Sequence, residues 1–303
     1  MIRLSIIIVT YNSEKDIFQC LDSIYSQSDL SHDEFEIIVV DNDSKLVDEM
    51  FSKIRTDYPY NIRLIKNPKG NGGYGQGNNV GIKEAEAPII LIMNPDIRLI
   101  QPVFRTAVEH MEAQPDVSMY GMKQMLTENI PSHNSISCTY MMNGYVYTIM
   151  TALANRRDYF NPKYMHFSGS CFFIRKSLFE SIGLFDESVF MYGEEDDIHY
   201  RMKQKHGANM VYNPSLRYIH QTLERKPTLA YQKKLVEVAI RQNEKKGYSK
   251  TKTVKNRIRN NRMLLFREWL KLKLGKGNQE LYNQLKSYMD YLKSLRQKSE
   301  SAN

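Results

Sequence analysis

Four short apolar segments, each followed by a stretch with helical periodicity, constrain the fold of the first hundred residues. The segments are Leu4–Val9, Phe35–Val40, Ile62–Lys66 and Pro88–Met93. Runs this short and this rich in β-branched residues are typical of buried strands in a parallel sheet. Because strands that alternate with helices join by right-handed crossovers, the sequence predicts an α/β fold. We expect a Rossmann-like, mostly parallel sheet with flanking helices.

Polar residues follow these strands where each one ends. They are Thr10–Asn12, Asp41–Ser44 and Asn94–Asp96. In open α/β sheets, ligands bind at the carboxyl ends of the strands, so these residues are expected to line one cleft. A fourth polar segment, Asn71–Asn79, holds four glycines. It predicts a loop whose backbone approaches a ligand closely, although no GK[ST] follows to make it a Walker loop.

Charge and composition divide the chain. Residues 225–303 carry 21 Lys and Arg against 6 Asp and Glu, whereas the whole chain has a net charge of +8. A basic tail on an acidic body suggests a partner or a charged surface. The three cysteines have no zinc or disulfide spacing, and no apolar run reaches the length of a membrane span. These features predict a cytoplasmic protein.

One acidic segment stands out, Phe190–Arg201 with the sequence FMYGEEDDIHYR. Its four adjacent carboxylates, Glu194 to Asp197, repel one another, which raises their pKa when they are partly buried and suits a general base or a cation site. The same run could simply be the acidic start of a helix. The segment alone leaves both interpretations open.

Seven segments taken in order resemble the signature of family 2 glycosyltransferases, and within them the rhamnosyltransferase-like branch. They are Ile6–Asn12, Val39–Ser44, Asn71–Ile82, Met93–Ile97, Phe167–Lys176, Ile182–Glu187 and Met191–Arg201. The resemblance implies a GT-A catalytic domain over 1–222, with a nucleotide-sugar half over about 1–100 and an acceptor half over about 101–222. The remaining 223–303 form a basic helical C-terminal extension.

The resemblance implies roles for the residues that bind the donor. Asp41 would accept a hydrogen bond from uracil or thymine, with Thr10 and Tyr11 beside it and Asn12 as a further nucleotide contact or a helix cap. An alternative role for Asp41 is to cap its own loop. Further donor contacts are implied for five residues: Asn71, Gly73, Asn79, Gly169 and Ser170.

The resemblance also implies a cation. Asn94-Pro95-Asp96 stands where the family has its DxD motif, so Asp96 is expected to bind Mg²⁺ or Mn²⁺ with His220. A hard cation that shares its coordination with a diphosphate needs only one or two carboxylates. Taken alone, the same three residues would be a β-turn with Pro at its second position.

Glu195 is implied as the catalytic base, with Glu194 as its partner and Asp197 as a helix cap. A shift of one residue would make Asp196 the base instead. Pro131–Pro162 shows no clear period and suits either an acceptor-binding insertion or a variable surface loop.

Together these features predict an inverting, metal-dependent glycosyltransferase. The expected donor is dTDP-rhamnose or a UDP-sugar, and the acceptor a hydroxyl of a glycan or a polyprenyl-linked lipid in cell-surface polysaccharide synthesis. A sugar nucleotidyltransferase would need a Gly-rich loop with Arg and Lys directly after the first strand, which Thr10–Lys15 lacks. A nucleic-acid-binding protein would interleave basic and aromatic residues, and the tail has few aromatic side chains besides tyrosine, so no nucleic-acid partner is expected.

The tail predicts three helices, Leu229–Lys246, Val254–Leu274 and Glu280–Lys298. The second is basic and amphipathic, with Ile258, Leu265, Trp269 and Leu272 on its apolar face. It would lie on the inner face of an anionic membrane or pack on the protein. The third has a two-heptad seam that would support a homo-oligomer or dock within the chain; the seam residues are Leu281, Leu285, Tyr288, Leu292 and Leu295.

Overall fold

The computed structural model describes residues 1–58, 60, 62–139, 144–220 and 228–300. The chain divides into two compact units. The first comprises Met1–Ser137 with Phe160–Leu223, and the second comprises Cys138–Tyr159 with Glu224–Asn303. The predicted domain boundary between 222 and 223 lies outside the described residues.

Ten strands and ten helices make up the described chain. The strands are β1 Leu4–Thr10, β2 Phe35–Asp41, β3 Ile62–Lys66, β4 Ile89–Met93, β5 Ile97–Leu99, β6 Met119–Met125, β7 Ile136–Cys138, β8 Met165–Phe167, β9 Cys171–Arg175 and β10 Met210–His220. The helices are α1 Ile17–Gln27, α2 Val47–Asp57, α3 Tyr74–Glu84, α4 Phe104–Ala113, α5 Gly144–Arg157, α6 Lys176–Ser181, α7 Glu194–His206, α8 Leu229–Lys245, α9 Lys250–Lys273 and α10 Gln279–Glu300.

The first unit is built on a mixed, mostly parallel sheet of eight strands in the order β3-β2-β1-β4-β9-β6-β10-β5. Strands β1 to β4 are parallel to one another where they pair, β9 is antiparallel to both its neighbours, and β5 is antiparallel to β10. The predicted α/β fold with a mostly parallel sheet is confirmed.

Alternate residues of the central strand β1 serve two separate cores, which explains why the whole strand is apolar. Ile6 and Ile8 pack in the cluster that includes residues of α1, α2 and α4. Ile7 and Val9 pack in the cluster that includes residues of α3 and α7. Helices therefore cover both faces of the sheet, and the polar residues just beyond the strands gather at its carboxyl edge.

Helix α3 begins inside the segment that was expected to be a loop. Only residues 71–73 of the Gly/Asn-rich stretch precede the helix, which starts at Tyr74. Glycine is a poor helix former, but here it permits close packing on the sheet: a Cβ at Gly77 would lie 2.6 Å from Asn42, and one at Gly81 would lie 2.7 Å from Ile7. Tertiary packing thus overrides local propensity.

The second unit contains α5 and the three C-terminal helices. Its core includes Val236 of α8, Val254 and Ile258 of α9, and Tyr288 and Leu292 of α10. The two-heptad seam of α10 is therefore used within the chain. Among the described residues, no helix combines the length and apolar character that crossing a membrane requires.

Candidate active site

The carboxyl ends of β1 and β2 form the first part of the site. Thr10 and Asp41 are opposite each other in the register of these parallel strands, and both are buried. The Thr10 hydroxyl donates to Asp41 Oδ2 at 2.8 Å. The strand register thus places two of the predicted nucleotide contacts side by side.

Asp41 also organises its own loop. The backbone N–H of Ser44 donates to Oδ1 at 2.7 Å, and its hydroxyl donates to Oδ2 at 2.6 Å. The Ser44 hydroxyl oxygen in turn accepts the backbone N–H of Asn12 at 2.7 Å, so the two loops are tied together. A loop-capping role for Asp41 is present in the structure. Since a carboxylate oxygen can accept more than one bond, that role is compatible with the predicted recognition of a base.

Tyr11 and Asn12 continue from β1 into this loop. The side chain of Tyr11 is 52% exposed at the edge where the donor base is predicted to lie. Asn12 adopts a left-handed backbone with φ of 50°, which Asn tolerates better than most residues. Its side-chain oxygen accepts the backbone N–H of Lys45 at 3.2 Å, so Asn12 holds the second loop.

The glycine loop contacts the segment that precedes the acidic helix. Asn71 Oδ1 accepts the backbone N–H of Gly73 at 3.2 Å, and Asn42 Nδ2 donates to the carbonyl of Gly73 at 3.0 Å. The backbone N–H of Tyr74 donates to the carbonyl of Phe190 at 3.1 Å. This backbone hydrogen bond therefore joins the glycine loop to the acidic segment, which is far away in the sequence.

Asn79 lies away from this contact. Its side-chain amide donates to the Phe185 carbonyl at 3.0 Å and to Glu187 at 3.1 Å, and its oxygen accepts the Phe185 N–H at 3.0 Å. In the structure Asn79 fixes the segment that leads to the acidic helix, and its contact with the donor stays a prediction.

A buried cluster of amides beneath the loop was not anticipated. Asn67 Nδ2 donates to Asn42 Oδ1 at 2.7 Å and to Gln76 Oε1 at 2.6 Å, and Gln76 Nε2 donates back to Asn67 Oδ1 at 3.2 Å. All three residues are buried, where a satisfied polar network specifies one arrangement. Asn42 and Gln76 lie in the recognised motifs, but Asn67 carried no such signal.

The two predicted cation ligands lie together. Asp96 Oδ2 is 3.2 Å from His220 Nε2, because the antiparallel pairing of β5 with β10 sets Ile97 opposite His220. The side chains are 31% and 13% exposed, respectively. A contact between residues this far apart in sequence is the juxtaposition that a shared cation would need.

The surroundings of this pair fit a cation. Asn94 Oδ1, Asp96 Oδ1 and His220 Nδ1 are buried atoms with no hydrogen-bond partner within the described parts of the chain, and unpaired buried polar atoms are costly. Oxygen ligands with one imidazole suit Mg²⁺ or Mn²⁺. Within the described ranges, no group of three or more His, Cys, Asp or Glu residues is placed to hold a metal.

Arg98 supports the turn that carries Asp96. Its guanidinium donates to the carbonyls of Pro95 at 3.2 Å and Ile97 at 2.7 Å, and to Gln19 at 2.9 Å. Arg98 was not predicted as part of the site. Its position two residues after the acid is the signal that could have identified it as a support.

Residues 169 and 170 connect the cation pair to the acidic helix. The carbonyl of Ser170 accepts the backbone N–H of Asn94 at 2.9 Å, and its hydroxyl bonds to that of Tyr218 at 3.0 Å. Gly169 packs against Glu195, such that a Cβ on Gly169 would lie 3.1 Å from Glu195 Cβ. Its carbonyl accepts the Tyr74 hydroxyl at 3.0 Å.

A strained turn delivers the acids. Tyr192 and Gly193 have φ of 80° and 86° just before α7, and positive φ is a genuine outlier for a bulky residue such as tyrosine. All four carboxylates then fall in the first turn of α7, where the helix dipole favours negative charge. The acidic run is therefore the start of a helix, and a strained turn directly precedes it.

The four acids occupy different environments. Glu194 is buried, and that burial, reinforced by the neighbouring charge of Glu195, raises its pKa to about 8. Glu194 is therefore protonated and neutral at pH 7 and can donate a hydrogen bond. Glu195 is partly exposed beside Gly169, which leaves it in reach of a ligand.

Asp197 does not cap the helix as predicted. Its carboxylate pairs with Arg201 one turn later, at 2.6 Å and 2.8 Å, while the N-cap position is Gly193. Arg201 also donates to the carbonyl of Ile182 at 2.6 Å. An (i, i+4) partner was available to this acid, and the resulting pair anchors α7. Asp196 is buried as well.

A histidine supports Glu195 from within the helix. His199 Nδ1 donates to the Glu195 carbonyl at 2.7 Å, and its ring packs edge-on against Phe167 with centroids 4.4 Å apart. Burial lowers the pKa of His199 to about 3, so the imidazole is neutral. His199 is thus both helical and buried.

The raised pKa of Glu194 predicts a pH-dependent stability. The folded protein holds this proton more tightly than the unfolded chain, so the free energy of unfolding falls as pH rises from about 4.5 to about 8. Glu194→Gln removes the titrating group. We therefore expect the pH-dependent decrease in the free energy of unfolding to be a few kcal/mol smaller in this variant, which is the order that the raised pKa of Glu194 implies. Denaturant titrations at pH 5 and pH 9 measure it. Glu128→Gln, at an exposed carboxylate, is the control, and an equal decrease in wild type and Glu194→Gln would contradict the assignment.

Gly73 offers a test of the loop contact. It has φ of 96°, and a Cβ would lie 2.1 Å from the Phe190 carbonyl oxygen. Gly73→Ala is expected to lower the free energy of unfolding by more than the roughly 1–3 kcal/mol of backbone strain alone. Gly70→Ala is the matched control, because Gly70 also has positive φ (67°) but nothing within 4 Å. Equal losses in the two variants, measured by denaturant titration, would mean that the Phe190 contact adds nothing.

Comparisons with known proteins are consistent with this geometry. The chain is 30% identical over 209 residues to the low-salt glycan biosynthesis hexosyltransferase Agl10 of Haloferax volcanii, which covers 67% of this chain and 62% of that protein. It is 27% identical over 179 residues to the poly(ribitol-phosphate) β-N-acetylglucosaminyltransferase TarS of Staphylococcus aureus, covering 54% of this chain and 30% of TarS. The chain thus spans less than two thirds of the length of these curated relatives.

Solved structures show the same fold. TarS 1-349 in complex with UDP-GlcNAc superposes with a TM-score of 0.56 at 18% identity, over 97% of this chain and 81% of that one. The mannosyltransferase PcManGT from Pyrobaculum calidifontis, in complex with GDP-Man and Mn²⁺, superposes with a TM-score of 0.55 at 17% identity, over 99% and 73%. The predicted GT-A architecture is confirmed.

Membership follows from the sequence profile as well as from these likenesses. The profile of glycosyl transferase family 2 matches residues 5–183, which include the two loops that follow β1 and β2, the glycine loop, the Asn94–Asp96 turn and residues 169–170. This chain belongs to glycosyl transferase family 2.

Proposed function

We propose that this protein transfers a sugar from dTDP-rhamnose or a UDP-sugar to a hydroxyl of a glycan or lipid-linked acceptor, with inversion, in cell-surface polysaccharide synthesis. The observation that carries the proposal is the chain of contacts from the Asp96–His220 pair to Glu195. Asn94 bonds to Ser170, and the adjacent Gly169 packs on Glu195. A diphosphate at the pair and an acceptor at Glu195 would therefore be neighbours.

The donor would lie along the carboxyl edge of the sheet. Thr10, Tyr11 and Asp41 would contact the nucleobase of the donor, and Asn12 would hold the adjoining loop. Asn71 and Gly73 shape the glycine loop, which reaches the Phe190 carbonyl. Gly169, which has no side chain, would leave room for the sugar, and the Ser170 hydroxyl beside it is bonded to that of Tyr218. Asn79 would contact the donor, and it also fixes the segment that leads toward the acidic helix.

Asp96 and His220 would hold Mg²⁺ or Mn²⁺, with Asn94 in the same turn. When bound, the cation supplies positive charge that stabilises the departing diphosphate. The pair is partly buried, and among the described residues Asp96 Oδ1 and His220 Nδ1 are buried atoms without a hydrogen-bond partner, which supports this assignment. The Mn²⁺ in the complex of PcManGT, a protein of the same fold, is in line with it.

Glu195 would act as the general base. It takes the proton from the acceptor hydroxyl while that oxygen forms a bond to the anomeric carbon. The bond from this carbon to the diphosphate oxygen breaks, and the nucleoside diphosphate leaves with the electron pair. Attack opposite the leaving group inverts the anomeric configuration. Glu194, neutral at pH 7, would donate a hydrogen bond to a hydroxyl of the sugar or the acceptor.

The relatives support this class of reaction. Agl10 is a hexosyltransferase of glycan biosynthesis, and TarS transfers N-acetylglucosamine to poly(ribitol-phosphate).

A donor panel tests the proposal. Nucleoside diphosphate release would be measured from dTDP-rhamnose, UDP-glucose, UDP-GlcNAc and GDP-mannose, with Mg²⁺, with Mn²⁺ and with EDTA, against lipid-linked and free glycan acceptors. Release from a dTDP- or UDP-sugar that requires the cation is the expected result. Release from GDP-mannose alone would overturn the donor assignment, and release that EDTA leaves unchanged would overturn the role of the cation.

A further inference from the structure

Helix α9 of the second unit carries an exposed apolar cluster near its C-terminal end. We call this cluster the Phe266 patch. Its members are Phe266 (63% exposed), Trp269 (42%), Leu270 (45%) and Leu274 (65%). The rings of Phe266 and Trp269 stack with centroids 5.9 Å apart. Contiguous exposed apolar groups usually mark an interaction site.

This patch is not the apolar face expected from the sequence. Ile258 is buried and Leu265 is partly buried, and both pack in the core shared with α8 and α10. Leu272 is also only partly exposed. Of the four residues assigned to that face, Trp269 alone is exposed. Helix α9 has two apolar arcs, and the other one is used for packing.

The exposed charge of helix α9 has one sign. Helix α9 contains nine Lys and Arg residues but a single acid, Glu268. Glu268 is buried and accepts the backbone N–H of Asn278 at 2.7 Å, so the exposed charge of the helix is entirely positive. The exposed basic residues nearest in sequence to the patch are Arg262, Arg267, Lys271, Lys273 and Lys276.

We propose that the Phe266 patch inserts into the surface of an anionic lipid membrane, with the surrounding Lys and Arg at the headgroups. A helix that shows Trp, Phe and Leu on one face and Lys and Arg around them has the composition of interfacial helices. A second copy of the chain is a poor occupant, because a symmetric contact would bring the same cationic surfaces together, and like charges across an interface are costly. The inference is independent of the proposed reaction.

The protein carries its own probe for this contact. Trp269 is the only tryptophan in the chain and lies within the patch. We expect its emission to shift to the blue when vesicles of phosphatidylglycerol and phosphatidylcholine are added to the full-length protein. Brominated lipids are expected to quench it, and pure phosphatidylcholine vesicles to produce little change. Because each Lys or Arg near the surface adds about fivefold in affinity, binding should weaken steeply as salt increases.

Two sets of variants separate insertion from simple charge attraction. Phe266→Ser combined with Leu270→Ser should reduce the partition constant at least tenfold, and Arg267→Gln combined with Lys273→Gln should reduce it by about 25-fold, at roughly fivefold for each charge. Ile149→Ser is the matched control, because Ile149 is 51% exposed on α5 of the same unit; it should leave binding unchanged. Far-ultraviolet circular dichroism verifies that each variant is folded.

Four outcomes would overturn the proposal. They are an emission spectrum that no vesicle alters, equal binding to neutral and anionic vesicles, equal binding by the Phe266 and Leu270 double variant, and a blue shift that appears without lipid as protein concentration rises. The last would assign the patch to self-association, and sedimentation velocity would identify the assembly.

Discussion

Glu195→Gln is expected to reduce the rate of sugar transfer by about 10²–10⁴-fold, the range that a positioned general base contributes. The substitution keeps the size of the side chain and removes its ability to accept a proton. The affinity for the donor should change little, because the base acts on the acceptor hydroxyl. Single-turnover transfer rates and donor titrations measure the two quantities separately.

Asp196→Asn is the matched comparison, since Asp196 is the neighbouring acid that a shift of one residue would make the base. Its buried side chain, in contrast with the partly exposed Glu195 beside Gly169, predicts a much smaller loss of rate. If Asp196→Asn reduced the rate of sugar transfer more than Glu195→Gln did, and Glu195→Gln kept most of its activity, the roles of the two residues would have to be exchanged.

Asp96→Ala is expected to weaken cation-dependent binding of a nucleoside diphosphate by more than about 100-fold, because loss of even an outer-shell partner of a metal ligand costs about 10–100-fold. It removes one of the two proposed cation ligands, Asp96 and His220, whose Oδ2 and Nε2 atoms lie 3.2 Å apart. Electron paramagnetic resonance of free Mn²⁺, titrated with protein and UDP, dTDP or GDP, measures this binding.

His220→Ala should show the same defect, since it removes the other ligand of the pair. Asp33→Ala serves as the control, because Asp33 is an exposed carboxylate in the turn before β2. Unchanged uptake of Mn²⁺ by both Asp96→Ala and His220→Ala would place the cation elsewhere.

The strands were predictable because short apolar runs between helical periods admit few alternatives. Phe35–Val40 and Ile62–Lys66 lie within or coincide with observed strands, and the sheet then brings Thr10 and Asp41 into register. The start of α3 was not predictable in this way. Glycine opposes helix formation locally, and only the approach of Gly77 and Gly81 to the sheet explains why the helix begins at Tyr74.

Side-chain networks could not be predicted from the sequence, because they also depend on tertiary packing. The cluster of Asn42, Asn67 and Gln76 joins three segments, and no local pattern distinguishes such amides from those of ordinary loops. The pairing of Asp197 with Arg201 was visible as an (i, i+4) spacing, but an acid in a first turn also suits a cap. For the apolar face of α9 with Ile258 and Leu265, the sequence left membrane contact and packing on the protein both open, because periodicity does not reveal which of two apolar arcs meets the neighbouring helices; both residues pack in the core.

Anomalous diffraction from Mn²⁺ tests the central assignment most directly. Crystals would be grown with Mn²⁺ and the nucleoside diphosphate that binds most tightly, and each bound Mn²⁺ would give a peak in the anomalous difference density. We predict that the peak lies at Asp96 and His220. The diphosphate should complete the coordination of the cation, and the nucleobase should lie beside Thr10 and Asp41. A cation and diphosphate bound away from these four residues would contradict the proposed active site.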